Sequence, residues 1–159
     1  MARVEHTYTF TGELTTGHRF AVIGRERSFR KHQHAWKAWR ALKDFGCVVY
    51  PVALKVTRLG NAKVYPDLAS LTDKIDVAVP CLPPEEIPDL VALASGSGCS
   101  YIWFQEQSWK EEFQEQCERL GVKAVRGCVL LHKIYRRPFG FFHPCYWHGW
   151  RADKVPLKR

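Results

Sequence analysis

The residues best suited to bind an anion are concentrated in one short stretch of the chain. It combines one glycine, one serine and four basic side chains: Gly24, Arg25, Arg27, Ser28, Arg30 and Lys31. The stretch follows a short apolar segment and precedes an amphipathic one, so we expect it to join a strand to a helix. Backbone N–H groups and the dipole at a helix N-terminus favour a phosphate group. The sequence therefore predicts a phosphate site here, with a solvated surface loop as the alternative.

Two common nucleotide-binding motifs are absent from the sequence. Neither the G-x-G-x-x-G fingerprint nor the G-x-x-x-x-G-K-[ST] loop occurs. The second predicted strand ends in Tyr50 and Pro51, not in the acidic residue that binds the ribose in dinucleotide sites. We therefore expect a phosphorylated ligand of another kind, with additional negative charge near the basic side chains.

The cysteines are candidates for redox or metal chemistry. They lie at six positions: Cys47, Cys81, Cys99, Cys117, Cys128 and Cys145. No C-x-x-C pair occurs, which argues against a zinc ribbon or a thioredoxin-like motif. Most of the thiols lie in apolar runs, where a free cysteine behaves as a small hydrophobic residue. Cys81 and Cys128 lie near predicted strand ends, so thiol chemistry is the alternative to a buried, inert role at these two positions.

Several histidines could act as ligands or bases. A zinc site would draw on these residues: His132, His143, Cys145 and His148. Their spacing matches no compact zinc module, so we expect no metal. His32 and His34 lie at the start of a predicted helix, and the sequence suggests no catalytic partner for either of them.

The elements that position these residues form a regular series. Apolar segments predict strands at 19–24, 47–53, 75–82, 99–105 and 122–130. Amphipathic segments predict helices at 32–46, 83–95 and 108–121, and one short helix is predicted within 64–71, starting after Pro66. Strands that are apolar on both faces indicate a parallel sheet covered on each side. Right-handed crossovers then predict an α/β, Rossmann-like doubly wound fold, with a mainly parallel five-stranded sheet and helices on both faces.

The ligand edge of such a sheet lies beyond the carboxyl ends of its strands. After the first strand, this edge carries the basic stretch already described. After the second and third strands, it carries five further candidate contacts: Pro51, Lys55, Leu82, Pro83 and Pro84.

The last helix is predicted to begin with a capping box, in which Ser108 and Glu111 satisfy backbone N–H groups.

The chain has the length of one domain. Its 159 residues and mass of 18.4 kDa predict a single domain over 1–159, with a core at 18–135. An N-terminal arm (1–17) alternates apolar and polar residues over 4–10, as a strand or extended segment does. A C-terminal arm (136–159) is rich in aromatic residues without a helical period. We expect that arm to pack across the domain or to form a homodimer by burial in a second subunit.

Composition excludes several classes of protein. A content of 46% hydrophobic and 25% charged residues is typical of a globular domain. No apolar run of about 18 residues occurs, so we expect no membrane association, and the absence of a signal sequence predicts a cytoplasmic location. The net charge of +8 is uneven, with seven Lys or Arg residues and one acid between Arg25 and Lys43. This pattern favours a local anion site over a surface that coats nucleic acid.

The ordered set of motifs resembles a known family. The matching segments are RFAVIG (19–24), FGCVVYPVALK (45–55), GNAKVYPDLASL (60–71), IDVAVPCLPPEEIPDLV (75–91), YIWFQ (101–105) and GVKAVRGCVLLHKIY (121–135). In order and spacing they are similar to the stand-alone coenzyme A (CoA)-binding domain proteins, relatives of the N-terminal domain of the succinate–CoA ligase alpha subunit. The resemblance covers about residues 18–135 and implies a CoA ligand.

The resemblance also implies roles for individual segments. The loop that holds the CoA phosphates in the family corresponds to Gly24–Lys31, and the family's P-V-N-P-K motif appears as Pro51–Lys55, with the lysine retained. Leu82–Pro84 corresponds to a loop that lies along the ligand. The family's R-C motif appears as Arg126-Gly127-Cys128. Where the family has small residues after the first glycine, this chain has Arg25 and Glu26, and Glu26 would repel a phosphate unless it turned toward a neighbouring arginine.

These observations predict non-catalytic binding of CoA or an acyl-CoA, with the phosphates on the loop after the first strand. Cys81 or Cys128 could form a mixed disulfide with the CoA thiol. The alternatives are a nucleic-acid-associated basic protein, or a binder of another nucleotide such as NAD or ADP. A small enzyme that acts on a thioester is a further alternative, but no nucleophile–base pair stands out. The phosphohistidine domain of the ligase is missing, so ligase activity is not implied.

Overall fold

A five-stranded parallel sheet forms the centre of the protein. The computed structural model describes residues 13–132 and 156–158, so the predictions for residues 4–10 and for most of the aromatic arm lie outside the described residues. The strands of the sheet are β1 (Arg19–Ile23), β2 (Val48–Val52), β5 (Val77–Pro80), β6 (Tyr101–Phe104) and β7 (Lys123–Arg126). They are arranged in the order β2-β1-β5-β6-β7, with every neighbouring pair parallel.

Helices cover both faces of this sheet. They are α1 (Glu26–Arg30), α2 (His34–Phe45), α3 (Leu90–Gly96) and α4 (Glu112–Leu120). On one face, Phe29 of α1 and Leu42 of α2 pack with Val22 and Trp103. On the other face, Val91 of α3 and Phe113 of α4 pack with Ala78 and Phe104. The predicted doubly wound Rossmann-like α/β fold is therefore confirmed, because each strand buries side chains on both faces.

The strands are shorter than predicted. The last one ends at Arg126 rather than 130 because Gly127 takes a positive φ of 127° and residues Val129–His132 turn into a 3₁₀ helix. Between β2 and β5, a two-stranded antiparallel hairpin, β3 (Arg58–Leu59) with β4 (Ala62–Lys63), was not predicted. The helix expected at 64–71 is a single 3₁₀ turn at Ala69–Leu71.

The helix expected at 83–95 is split in two. A 3₁₀ turn at Pro84–Glu86 is followed by an interruption before α3 begins at Leu90. The interruption falls where Ile87 precedes Pro88, because a residue before proline is disfavoured in the α conformation. The split places Glu86 at the end of a short turn rather than within a continuous helix.

The predicted capping box is wrong. Ser108 is fully buried, its hydroxyl donates to the Pro80 carbonyl at 2.7 Å, and it accepts the Leu82 N–H at 3.3 Å. Helix α4 begins after Glu111 without a side-chain cap. The serine instead joins the end of β5 to the turn after β6, because a buried backbone group requires a partner and solvent cannot supply one.

The end of the C-terminal arm returns to the domain. Leu157 forms a parallel bridge with Thr15, with its N–H donating to the Leu14 carbonyl at 2.7 Å and its own carbonyl accepting the Thr16 N–H at 2.8 Å. Lys158 lies 5.0 Å from the centre of the Phe45 ring at the end of α2. The last described residues therefore contact their own chain.

Replacement of Gly24 by alanine should destabilise the fold. A Cβ at this position would collide with the Cβ of Ala35 in α2 and lie 3.0 Å from Cε2 of Phe29, so the helix would have to move away from β1. We expect Gly24→Ala to lower the free energy of unfolding by about 1–3 kcal/mol in chemical denaturation. Gly96→Ala is the control, since nothing lies within 4 Å of a Cβ there. Equal stability of Gly24→Ala and wild type would contradict this packing argument.

Candidate functional site

The strand order places a topological switch point, the expected ligand crevice, beyond the carboxyl ends of β1, β2 and β5. Strand β1 lies between β2 and β5, and the chain leaves β1 and β5 toward opposite faces. Such a switch point is where open α/β sheets bind ligands. The ends of these three strands are joined by backbone hydrogen bonds, from Gly24 N–H to the Val52 carbonyl at 3.0 Å and from Cys81 N–H to the Ile23 carbonyl at 2.8 Å. Three of the predicted ligand segments therefore begin side by side.

The loop after β1 is built on two buried residues. Phe29 lies in the core under α1, and the Ser28 hydroxyl accepts the N–H of Ala35 at 3.0 Å in the first turn of α2. The Ser28 carbonyl also accepts the Gln33 N–H at 2.9 Å. Ser28 thus caps α2 from outside the helix, although Gln33 occupies the N-cap position without a side-chain bond. These contacts hold α1 in place while its basic side chains remain at the surface.

Two of the four basic residues in the loop after β1 have acidic partners. Arg30 Nη1 lies 3.0 Å from Glu26 Oε1, so Glu26 does turn toward an arginine. Arg25 forms an ion pair with Glu86, which belongs to the loop after β5. Within the described part of the chain, Arg27 and Lys31 have no acidic partner, and both are exposed. The loop therefore presents two unpaired positive charges and two that acids already neutralise.

The candidate residues after β2 differ from one another in exposure. Pro51 is buried within β2, and its carbonyl accepts the Tyr65 N–H at 2.9 Å. Lys55 is exposed, and its φ of 66° is in the left-handed region, which costs free energy for a residue other than glycine. Leu54 beside it is 69% exposed. Lys55 is therefore the residue of this segment whose side chain is free to meet a ligand, and Pro51 shapes the strand end.

The loop after β5 presents two half-buried prolines. Leu82 is buried, and its N–H is bound to Ser108, so it supports the loop from beneath. Pro83 and Pro84 are half-buried, and Pro84 begins the 3₁₀ turn that ends at Glu86. The rigid prolines thus carry an acidic side chain to the opposite side of the crevice, where it meets Arg25.

A buried polar cluster at the same edge was missed by the sequence analysis. Gln105 is fully buried after β6, its Oε1 accepts the Val129 N–H at 2.9 Å, and its amide nitrogen donates to the Trp103 carbonyl at 3.3 Å. His34 Nε2 lies 3.1 Å from the same Oε1 and 4.0 Å from the Cys128 sulfur. A glutamine at the end of the apolar run YIWFQ was the available signal, because a buried amide requires partners.

The amide orientation assigns a proton to His34. Because Gln105 Oε1 is an acceptor, His34 Nε2 donates to it, and this nitrogen cannot also take the proton of the nearby Cys128 thiol. Burial lowers the pKa of His34 below its ordinary value, with Lys37 adding to the effect and Gln105 opposing it. At neutral pH the ring is uncharged and holds α2 to the ends of β6 and β7.

The thiols are buried, as predicted for most of them. Burial raises the pKa of Cys47 and of Cys117 to about 11 and that of Cys99 to about 12. Burial and the neighbouring Cys128 raise the pKa of Cys81 still further. Cys145 lies outside the described residues, as do His143 and His148 of the zinc alternative. Among residues 13–132 and 156–158, no three His, Cys, Asp or Glu side chains form a group that could hold a metal ion.

The five-stranded sheet and its switch point define a Rossmann-like α/β protein. The family model of the CoA binding domain matches residues 18–133, so the chain belongs to the CoA-binding domain family. The predicted resemblance is thereby confirmed. No match was found among curated proteins. In the part of the chain that the structure describes, the helices are too short or too polar to cross a lipid bilayer.

Solved structures share this fold at low sequence identity. A hypothetical protein from Pyrococcus horikoshii OT3 is 22% identical, with a TM-score of 0.67 over 80% of this chain and 92% of that chain. A conserved hypothetical protein from Pyrococcus furiosus is 24% identical, with a TM-score of 0.61 over 69% and 92%. The dinucleotide-forming acetyl-coenzyme A synthetase 1 of Ca. Korarchaeum cryptofilum is 20% identical, with a TM-score of 0.57 over 72% of this chain and 26% of the synthetase.

The lowered pKa of His34 should make the free energy of unfolding depend on pH. Because its pKa is lowered in the folded protein, the unfolded chain binds more protons as the pH falls below about 6.5. The contribution of His34 to stability is therefore fully present above that pH and declines below it. We expect the thermal midpoint of wild type to fall between pH 7.5 and pH 5.5, and to fall less in His34→Gln.

His32→Gln provides the matched control for this measurement. His32 is exposed and stacks on the Trp36 ring, with ring centres 4.0 Å apart. Lys37 and Glu106 also act on His34 electrostatically and remain in both variants. Identical pH dependence in His34→Gln and wild type would show that burial of this ring does not affect its titration.

Proposed function

We propose that this protein binds CoA or an acyl-CoA without catalysing a reaction, in the crevice beyond β1, β2 and β5. The observation that carries the proposal is a family CoA-binding domain whose switch-point loop exposes two basic side chains, Arg27 and Lys31, that have no acidic partner among the described residues. The phosphates of the ligand would lie against this loop. Lys55 would approach from the loop after β2, and Pro83 and Pro84 would border the ligand on the β5 side.

The chemistry of the site supports binding over catalysis. Cys128 and His34 form a thiol–imidazole pair at this edge of the sheet. The His34 nitrogen that faces the thiol, Nε2, carries a proton and donates it to Gln105. A nucleophile needs a base that can take its proton, and this nitrogen cannot. One of the structurally similar proteins is named an acetyl-coenzyme A synthetase. This name supports a CoA-type ligand for the shared fold.

Two other parts of the proposal concern the whole chain. A single domain over 1–159 in the cytoplasm, with a homodimer formed through the aromatic arm (136–159), stays a prediction. Nucleic-acid binding is the competing function for a chain with a net charge of +8. The salt dependence of the affinity distinguishes the two functions. Because a nucleic-acid complex releases several counterions per protein, its affinity falls steeply with ionic strength. It should also depend little on base sequence.

Thermal denaturation with CoA, dephospho-CoA, ADP and NAD should identify the ligand class. A ligand that binds only the folded protein raises the midpoint by mass action. We expect the largest rise with CoA and a smaller one with dephospho-CoA, which lacks the 3′-phosphate.

Arg27→Ala combined with Lys31→Ala should weaken the affinity for CoA several-fold. The loss should be larger at low salt, because dissolved ions screen the attraction between these side chains and the phosphates.

The control removes the same charge at the other edge of the sheet. Lys74 precedes β5 and Arg119 lies in the last turn of α4 before β7, so both lie near the amino ends of the strands, and both are exposed. Lys74→Ala combined with Arg119→Ala should leave CoA affinity nearly unchanged. Equal losses in the two double variants would mean that only the overall charge matters and that the loop after β1 holds no phosphate.

We also propose that the two buried thiols at the strand ends resist reaction with CoA. Cys81 and Cys128 are each 8% exposed, burial raises the pKa of Cys81, and the His34 nitrogen beside Cys128 donates to Gln105. A thiolate that attacked CoA disulfide would form a mixed disulfide and release one CoA thiol. We expect intact mass of the folded protein after this treatment to show no such adduct at Cys81 or Cys128, with the denatured protein as the reactive control. A reductant-sensitive adduct mapped to either thiol in the folded protein would contradict the proposal.

A further inference from the structure

One ion pair joins the two sides of the proposed ligand crevice. Arg25 lies directly after β1 and Glu86 ends the 3₁₀ turn after β5, 61 positions further along the chain. Arg25 Nε donates to Glu86 Oε2 at 2.9 Å, and its Nη2 donates to Oε1. The carboxylate thus takes two neighbouring donors of the guanidinium, in the paired geometry that arginine offers to carboxylates and phosphates alike.

This pair is easily exchanged. The Arg25 side chain is 55% exposed and that of Glu86 is 40% exposed, and ion pairs at such positions contribute little to stability because water screens them. The Arg30–Glu26 pair differs because both partners belong to α1, so its exchange would leave the crevice unchanged. Among the ion pairs of residues 13–132 and 156–158, Arg25–Glu86 alone connects the loop after β1 with the loop after β5.

We propose that Glu86 is a specificity-determining residue of the site. Its carboxylate binds the Arg25 guanidinium until a phosphate of the ligand displaces the carboxylate. This inference rests on the proposed function. Exchange of one carboxylate for another leaves the charge on Arg25 equally balanced, so a carboxylate ligand gains little. A phosphate carries more negative charge and more acceptor oxygens, so it competes successfully. The acid thus selects phosphorylated ligands and limits how tightly they bind.

The neighbouring residue Glu85 offers a matched control. It lies on the same 3₁₀ turn, is exposed, and forms no ion pair with the described residues. Glu85→Gln and Glu86→Gln remove the same charge at adjacent positions of one short turn. A difference between them therefore measures the occupation of Arg25 and not the general repulsion between an acid and an anion.

Calorimetric titration with CoA and with uncharged pantetheine tests the proposal in four variants: Glu86→Gln, Glu85→Gln, Arg25→Ala, and Arg25→Ala with Glu86→Gln. We expect Glu86→Gln to tighten CoA roughly two- to fivefold, the range of an exposed ion pair, and Glu85→Gln to have a smaller effect. The gain should vanish in the Arg25→Ala background, because the freed arginine is then missing. Pantetheine should bind equally to wild type and Glu86→Gln.

Each remaining outcome overturns the inference. Equal gains in Glu86→Gln and Glu85→Gln, or a gain that survives in Arg25→Ala, would mean that Glu86 acts by long-range repulsion alone. Weaker CoA binding in Glu86→Gln would mean that the pair holds the two loops in the binding geometry. If CoA binds wild type and all variants alike, the inference fails and the proposed function stands. If CoA binds none of them, the proposed function fails and the inference with it.

Discussion

The carboxyl edge of the sheet depends on the close approach of α2 to the end of β1. Gly24 leaves no Cβ between the strand and Ala35, so the helix lies directly against the strand end. Ser28 then reaches the first turn of α2 with its hydroxyl, and Phe29 fills the core beneath the loop. Because these contacts use the apolar and small residues of the loop, its arginines and its lysine remain at the surface. A larger residue at 24 would move the whole ligand-facing segment.

A second set of buried hydrogen bonds makes the neighbouring loops rigid. Ser108 joins the end of β5 to the turn after β6, and Gln105 joins the end of β6 to His34 and to the backbone of Val129. Each of these side chains satisfies backbone groups that the parallel sheet leaves open at its edge. The polar residues of this edge therefore support the crevice, which explains why a histidine and a thiol can lie together there without forming a reactive pair.

The charge of the site is more balanced than its sequence suggests. Acids neutralise Arg25 and Arg30, one from a different loop and one from the same short helix. In the proposed complex with CoA, binding of the phosphates would require exchange of these partners as well as attraction. An exposed ion pair suits exchange, because its small contribution to stability is readily replaced by a contact with a more highly charged group.

The sequence by itself determined the class of fold and the family, because alternating apolar and amphipathic segments reflect local periodicity and burial on both faces of a parallel sheet. It also placed the basic loop at a strand end. Only the tertiary structure decided which side chains form hydrogen bonds and ion pairs with one another. Ser108 caps no helix but binds the end of β5, His34 meets Gln105 across 71 positions, and Arg25 meets Glu86 across 61. Such contacts follow from the order β2-β1-β5-β6-β7 and the resulting proximity of distant loops, which no local pattern of residues encodes.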